Sequence, residues 1–300
     1  MLQQHGGTMI WSPLCNLLLY GKTANVKAAK AQGVLMGIGS DWSPTGSKNL
    51  LGELKVARVA SAAMGDVFSD REIVAMATRN AAKILKWDHA LGTIEAGKHA
   101  DLLVVAGRSG DPYARLLEAR ETDIILVVIG GTPRYGRPKL MGHFGAGSEP
   151  WRVGSAVRVL NLTQQDADPV VGALKLADAR DRLRDGMRRL PELARNVEET
   201  SDAAIRPAHD TTAPQWFLSL DNIEPAGEAL RPHLPFGPSR ALTASLPAET
   251  LAALAVPLSQ IVGPLELDPL TVADDGMFLE RLDRQPNLPK FVKDGLPDLY

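Results

Sequence analysis

The stretch GVLMGIGSDWSPTGSKNLLGELKVA, Gly33 to Ala57, predicts a buried strand, a polar turn and a helix in direct succession. Val34 to Ser40 is a continuous apolar run, which is the pattern of a strand covered on both faces of a sheet. The run ends on a single carboxylate, Asp41. From Lys48 onward, the sequence predicts a helix whose inner face is formed by Leu50, Leu54, Ala57 and Ser61.

The residues before this stretch repeat the same alternation. Thr8 to Ser12 is a short β-branched and aromatic run that predicts a strand. Asn25 to Gln32 predicts a helix that is closed by Gly33 in the position after the helix end. The order of strand, helix, strand and helix, with nearly continuous apolar strands, indicates parallel βα units.

The residues after this stretch change in character. Ser69 and Glu72 form a predicted capping box at the start of a third helix. Short strands separated by glycine turns then begin near Leu91, in GTIEAGKHADLLVVAG and TDIILVVIGGTPRYG, and Ser155–Leu162 adds a further candidate strand. We therefore divide the chain into βα units at 1–66, a connecting helix at 67–90, a small β-domain at 91–162 and an extension at 163–300.

The extension has its own pattern. Asp166 to Asn196 is rich in Ala, Leu, Arg and Asp and predicts one or two surface helices. Beyond Ser201, proline is frequent and predicts extended segments that wrap a larger body. The charge run Arg180 to Arg189 lacks interleaved aromatic residues, so a solvated helix face is expected rather than a nucleic-acid surface.

Composition narrows the possible classes of protein. The chain has 300 residues, a net charge of −2 and one cysteine. This charge offers no basic face for nucleic acid, and the longest apolar runs are far below the roughly 20 residues of a membrane span. The single Cys15 excludes an internal disulfide and fits a reducing compartment, so we expect a cytoplasmic protein.

Asp41 is the candidate for chemistry because of its position. In parallel α/β folds, the side chains at the C-terminal ends of the strands point into the active site. The structural alternative is an aspartate that caps a helix or organises a turn in the loop that follows. Position alone favours this structural role.

Three blocks of sequence change that balance. The turn SPLCN, Ser12–Asn16, resembles the P-x-S-N turn of the amidohydrolase superfamily, in the branch with cytosine and guanine deaminases and triazine hydrolases. Gly39-Ser40-Asp41 resembles the family's G-[ST]-D at the end of its last barrel strand. ATRNAAKILKWDHALGTIEAGKHADLLVV resembles the passage from the last barrel helix into the family's small β-domain.

The resemblance implies both a fold and a site. The fold is α/β: the last two βα units of a TIM-like barrel, followed by a small β-sandwich and a mixed helical and extended C-terminal part. In the family, the aspartate matching Asp41 contacts a divalent metal, zinc or iron, and carries a proton from the metal-activated water to the leaving group. Ser12, Asn16 and Trp42 would line or brace the substrate pocket, while Trp11 and Trp42 could equally be packing residues at the strand ends.

The departures from the family pattern are as informative. The family's H-x-H pair and its two later histidines are absent, and a structural or surface role is expected for each of the six histidines present, His5, His89, His99, His143, His209 and His233. Cys15 replaces the usual serine and is expected to be a small buried residue rather than a nucleophile. Gly92 to His99 matches a phosphate loop in part, but a strand follows it rather than a helix, so we reject that interpretation.

The sequence therefore predicts a metal-dependent hydrolase that acts on non-peptide C–N bonds of a small polar or heterocyclic compound, in a chain that lacks six barrel strands and most metal ligands. The alternatives are a non-catalytic packing or binding subunit, or one half of a split enzyme. Because Met9, Trp11 and Leu35 would meet water in an open sheet, we also expect self-association or a complementing N-terminal polypeptide.

Overall fold

A computed structural model describes residues 3–42, 45–145, 149–163, 175–205 and 258–300, without the side chains of 199–205 and 258. The predicted helical residues 166–174 and most of the proline-rich segment beyond Ser201 lie outside the described residues. The described chain divides into a first unit, residues 1–176 with 268–300, and a second unit, residues 177–267. None of the described helices is long and apolar enough to cross a membrane.

The first two strands pair as the βα pattern predicts. β1 (Thr8–Trp11) and β2 (Leu35–Ile38) form a parallel two-stranded sheet, with Thr8 opposite Leu35 and Trp11 opposite Ile38. Two helices provide the crossover that a parallel pair requires, α1 (Pro13–Tyr20) and α2 (Val26–Ala31).

The helices that follow β2 cover this small sheet. They are α3 (Leu50–Ala63), α4 (Asp70–Ala77) and α5 (Arg79–Ile84). The predicted capping box is present, since Ser69 Oγ accepts from the Glu72 amide and the Glu72 carboxylate accepts from the Ser69 amide. The third helix is not continuous as predicted, because it breaks at Thr78, whose backbone lies outside the helical region (φ −125°, ψ −102°).

One predicted orientation in β1 is wrong. Trp11 does not meet water: it is 1% exposed, packs against Phe68 at 5.9 Å between ring centroids and donates to Thr23 Oγ1. Met9 packs partly against the same core. The exposed residues of β1 lie on the other face, namely Thr8 and Ile10, and Ile10 is 53% exposed.

Helix α3 is buried on nearly all sides, beyond the single face that the spacing predicts. Leu50, expected inside, is 43% exposed. The buried residues of this helix include two charged side chains, Glu53 and Lys55, each 0% exposed.

The predicted β-domain is a five-stranded antiparallel sheet in the order β3-β4-β5-β7-β6. Its strands are β3 (Leu102–Val105), β4 (Ile124–Ile129), β5 (Thr132–Gly136), β6 (Glu149–Val153) and β7 (Ala156–Leu160). Strand β6 has no counterpart in the sequence-based prediction. The described residues form one such sheet, and the second layer of a sandwich remains a prediction.

A two-glycine turn explains how β4 and β5 form a hairpin. Gly130 and Gly131 both have positive φ, 56° and 79°. This is the conformation of a type I′ turn, whose twist matches that of the flanking strands. Two short helices flank the sheet, α6 (Pro112–Glu118) and α7 (Pro138–His143).

The C-terminal residues 268–300 pack on the outer side of the βα units. Their helices are α11 (Phe278–Asp283) and α12 (Lys290–Gly295). Leu288, Val292 and Leu296 form a buried cluster with Leu14, Leu17 and Val56 of α1 and α3. These residues do pack on a larger body, but they do so with short helices rather than with the predicted extended segments alone.

The second unit contains the other helices, namely most of α8 (Leu176–Arg188), α9 (Leu190–Ile205) and α10 (Leu258–Ile261). The predicted surface character of the charge run is present, since Arg189 pairs with Asp185 and Glu192 on exposed faces.

Candidate active site

The candidate site lies in the two loops that leave the C-terminal ends of β1 and β2. The parallel pairing places both ends at the same edge of the sheet. The first loop runs directly into α1 through Ser12 and Pro13. The second contains Asp41 and leads to α3 through Asn49, whose side chain accepts from the Gly52 amide and begins the helix.

Asp41 adopts a backbone conformation that is unusual for a residue with a Cβ. Its φ is +58°, in the left-handed region, where Asp and Asn are tolerated better than other residues. The residue is exposed. Its Oδ2 accepts a hydrogen bond from the thiol of Cys15 at 3.2 Å. The described residues provide no hydrogen-bond donor to Oδ1.

Cys15, in the first turn of α1, connects this helix to the β2 loop that contains Asp41 and Thr45. It is 1% exposed, as the sequence predicts for a small buried residue, and its Sγ also lies 3.0 Å from Thr45 Oγ1. Thr45 in turn bonds the carbonyl oxygen of Trp42 through both its amide and its hydroxyl. The thiol thus sits between the carboxylate and the turn that follows it.

Ser12 and Asn16, two other predicted site residues, lie at the start of α1 and do not bond to Asp41. Ser12 stands at the N-cap of α1, where its side chain makes no capping hydrogen bond. Asn16 Oδ1 accepts from Thr23 Oγ1 at 3.3 Å, and Thr23 accepts from the Trp11 indole at 2.7 Å. Asn16 therefore braces Trp11 within the described structure.

The two tryptophans have different environments. Trp11 is a packing residue in the core, whereas Trp42, next to Asp41, is 62% exposed. An exposed indole beside a carboxylate offers a flat apolar face to a planar ligand. The assignment of Trp42 to substrate contact remains a prediction.

Two further residues contact the site and were not predicted from the sequence, Glu53 of α3 and Ser47 of the β2 loop. The Glu53 carboxylate accepts from Ser47 and from the Leu14 amide, so it connects the β2 loop to the start of α1. Burial raises the pKa of Glu53, and the nearby charge of Asp41 acts in the same direction, while hydrogen bonds from Leu14 and Ser47 oppose this rise. The signal that could have found Glu53 is a carboxylate within the nearly apolar segment LLGELKVA.

The four histidines within the described residues do not complete a metal site. His5, His89, His99 and His143 are exposed, and His209 and His233 lie outside the described residues. Across the described residues, no group of three or more His, Cys, Asp or Glu side chains could hold a metal ion. Structural metal sites in proteins require about four ligands and catalytic zinc sites about three.

A cavity in the described part of the chain does not coincide with Asp41. It has a volume of about 480 Å³ and lies between helices α3 and α4 and the antiparallel sheet. Its lining is mostly apolar, including Leu51, Leu54, Val127 and Val153. Lys48, at its wall, already pairs with Asp275, so this polar group is not free to orient a substrate.

Comparison with known proteins supports the motif resemblance. Residues 4–134 match the model of the amidohydrolase family. The similarity to the amidohydrolase superfamily therefore extends over residues 4–134, which is under half of the chain.

Individual relatives show how much of the chain the likeness covers. A 5-methylthioadenosine/S-adenosylhomocysteine deaminase of Moorella thermoacetica is 34% identical over 40% of this chain and 30% of its own length. An S-triazine hydrolase of Gordonia rubripertincta is 32% identical over 35% of this chain and 23% of its own length. Residues 4–134, called the amidohydrolase segment below, thus correspond to less than a third of the length of either relative.

Solved structures align with a similar share of this chain. A zinc complex of atrazine chlorohydrolase from Arthrobacter aurescens aligns with 43% of this chain and 31% of its own, at 27% identity and a TM-score of 0.38. This score is too low to support a shared overall fold, and the family assignment rests on the sequence matches.

Proposed function

We propose that the chain is part of a hydrolase that cleaves non-peptide C–N bonds in a small polar or heterocyclic compound. The observation that supports this most strongly is the placement of Asp41. Its carboxylate is exposed at the C-terminal end of a parallel strand, with Oδ2 held by Cys15 and with Oδ1 given no donor by the described residues. Deaminases and a triazine hydrolase among the relatives favour the C–N class.

The proposed role of Asp41 is proton transfer. A carboxylate within hydrogen-bond reach of a water molecule can take one proton as the water oxygen attacks the carbon. It then returns that proton to the nitrogen as the C–N bond breaks, so the group ends in its original state. Trp42 would stack on a planar ring of the substrate, and Ser12 and Asn16 would line or brace the pocket.

The family resemblance also implies a zinc or iron ion, and the described residues do not fit a complete site for one. Asp41 is the one candidate ligand that the family motif places here, and no cluster of three ligands surrounds it in the described parts of the chain. We therefore derive no step through a metal from these residues. Further ligands would have to come from outside the described residues or from another polypeptide.

The same observation favours a second candidate. A chain whose described residues supply one candidate ligand would, in this case, be a non-catalytic subunit that retains the amidohydrolase segment for packing or binding. Its βα units and antiparallel sheet would then serve as a scaffold, and the geometry at Asp41 would have only a structural role.

Turnover by the protein expressed from its complete reading frame distinguishes the two candidates. The assay measures ammonia or amine release from aminopurines, aminopyrimidines and aminotriazines in the presence of zinc or iron(II). Asp41→Asn should lower kcat by about 100-fold or more, because the amide is nearly isosteric but cannot carry the proton. Asp66→Asn, at an exposed aspartate outside the site that also has a positive φ (53°), is the matched control and should retain activity.

Two results would overturn the proposal. An Asp41→Asn protein with near-normal rate would reduce Asp41 to a loop-capping residue. A wild-type protein that releases no amine from any of these compounds, with metal supplied, would favour the non-catalytic subunit.

A further inference from the structure

Glu53 has a role in the candidate site that none of the family motifs identifies. It lies in the first turn of α3 and is 0% exposed. Burying a carboxylate is costly unless hydrogen bonds compensate for the lost water. The positions of its hydrogen-bond donors show which parts of the structure the buried carboxylate connects.

The Glu53 carboxylate bonds to the two segments that follow β1 and β2. Oε2 accepts from the backbone amide of Leu14 at 3.2 Å, in the first turn of α1. Oε1 accepts from the amide of Ser47 at 3.2 Å and from its hydroxyl at 2.9 Å, in the loop that follows β2. A single buried group thereby fixes the distance between the start of α1 and the β2 loop.

The Cys15 thiol forms a second connection between α1 and the β2 loop. Leu14 precedes Cys15, whose thiol donates to Asp41 Oδ2 at 3.2 Å. Ser47 follows Thr45 by two residues, and Thr45 Oγ1 lies 3.0 Å from the same sulfur. The partners of Glu53 therefore adjoin the three residues that meet at the thiol.

We infer that Glu53 is a positioning residue for Asp41: it clamps the first turn of α1 to the β2 loop, so that the Cys15 thiol of α1 holds the Asp41 carboxylate in place. Its value for catalysis rests on the proposed function, but the clamp itself does not. A neutral amide of the same shape could not replace it, because Oε1 and Oε2 both face donors and one of them would become an NH₂ group.

The chain provides its own probe for this clamp. Cys15 is the single cysteine in 300 residues, so any thiol signal of the protein comes from the atom that contacts Asp41. The S–H stretching band in a Raman spectrum reports the hydrogen bond of that thiol. The rate of labelling by a thiol reagent under native conditions reports the local opening that exposes it.

The experiment compares wild type, Glu53→Gln, Asp41→Asn and Ser61→Ala. Ser61 lies at the other end of α3, where its hydroxyl bonds Phe68, so Ser61→Ala controls for a general loss of stability. Glu53→Gln should shift the S–H band and raise the labelling rate by about tenfold or more, since losing a hydrogen bond to a charged group changes an opening equilibrium by that order. Ser61→Ala should leave the band unchanged.

The outcomes that contradict the inference are specific. If Asp41→Asn shifts the band but Glu53→Gln leaves both signals at the wild-type values, Glu53 has no positioning role. If Asp41→Asn does not shift the band, the Cys15–Asp41 hydrogen bond is absent and the inference fails. If Glu53→Gln does not fold, Ser47→Ala replaces it, and an unshifted band there would contradict the clamp. None of these measurements requires turnover, so failure of the proposed function would be recognised separately.

Discussion

The ammonium nitrogen of Lys55 lies 2.6 Å from the carbonyl oxygen of Ala119, and Lys55 is 0% exposed. The same nitrogen donates to the Leu117 carbonyl at 2.9 Å. Both carbonyls belong to the end of α6, where the last turn of a helix leaves backbone acceptors unpaired. Lys55 thus fastens α3 to α6 across more than sixty positions of sequence.

This buried lysine makes stability depend on pH in the alkaline range. Burial lowers the pKa of Lys55 to about 8, and the positive charge of Arg120 acts in the same direction. The unfolded chain keeps the ordinary value of 10.5, so it binds more protons than the folded chain between pH 8 and 10.5. The contribution of Lys55 to stability is therefore present above pH 10.5 and is lost as the pH falls through 8.

Urea denaturation of wild type and Lys55→Met at several pH values tests this. The free energy of unfolding of wild type, relative to the variant, should increase as the pH rises from 8 to 10.5. The comparison with the variant removes the contribution of the other titrating groups. A difference that stays constant over this range would show that Lys55 keeps an ordinary pKa.

Glu121 should be the main attachment point of the C-terminal residues. It is 7% exposed and accepts from Asn49 Nδ2 at 2.7 Å, from the Val272 amide at 2.9 Å and from the Ala273 amide at 3.1 Å. Glu121→Ala should lower the free energy of unfolding by about 2–4 kcal/mol, because buried donors lose a charged acceptor. Hydrogen exchange should accelerate at Val272 and Ala273.

Glu118 provides the matched control for Glu121. It lies three positions earlier and makes a half-exposed ion pair with Arg58. Glu118→Ala should change stability by about 0–1 kcal/mol and leave exchange at residues 272–273 unchanged. Equal effects of the two substitutions would contradict the role assigned to Glu121.

The left-handed backbone of Asp41 predicts which substitutions the loop tolerates. With φ at +58°, Asp41→Gly and Asp41→Asn should fold with nearly wild-type stability. Asp41→Val should cost about 1–2 kcal/mol, because a β-branched side chain is disfavoured in this region. Urea midpoints that rank valine with asparagine would show that the loop changes its conformation in solution.

The free edge of β1 predicts self-association. Among the described strands, β1 has one neighbour in its sheet, and Ile10 on β1 is 53% exposed. Exposed apolar edge strands are templates for pairing with other chains. The purified chain should therefore be larger than a monomer in light scattering, and Ile10→Lys should shift it toward monomer. Ile94→Lys, in an 88% exposed loop position, is the control that should leave the size unchanged. A monodisperse wild-type monomer would contradict this prediction.

The sequence predicts the local elements here better than their environments. The parallel pairing of β1 and β2 follows from two apolar runs joined by helices, and the capping box at Ser69 follows from a local pattern. The face on which Trp11 packs could not be predicted, because a run that is apolar throughout does not distinguish its two sides. The break of the third helix at Thr78 likewise interrupts an apolar spacing that gives no sign of it.

The candidate site was predictable in one part only. Asp41 could be proposed from its place after an apolar strand and from the family motif. Glu53 could be noticed as a carboxylate in a nearly apolar segment, but its partners could not be predicted, because the Leu14 amide lies 39 positions away in sequence. Charged residues within a helix are usually solvated, and only the packing of α1 and the β2 loop onto α3 makes this one a buried clamp.

Zinc binding by the purified chain is the final test. Our proposal is that Asp41 belongs to a metal-hydrolase site and that residues 4–134 do not supply the other ligands of that site. Elemental analysis and calorimetric titration with zinc would be compared for wild type and Asp41→Asn. We expect neither protein to hold one equivalent of zinc tightly, because one carboxylate cannot replace the three or four ligands of a stable site. One equivalent of tightly held zinc in wild type that is lost in Asp41→Asn would contradict the proposal.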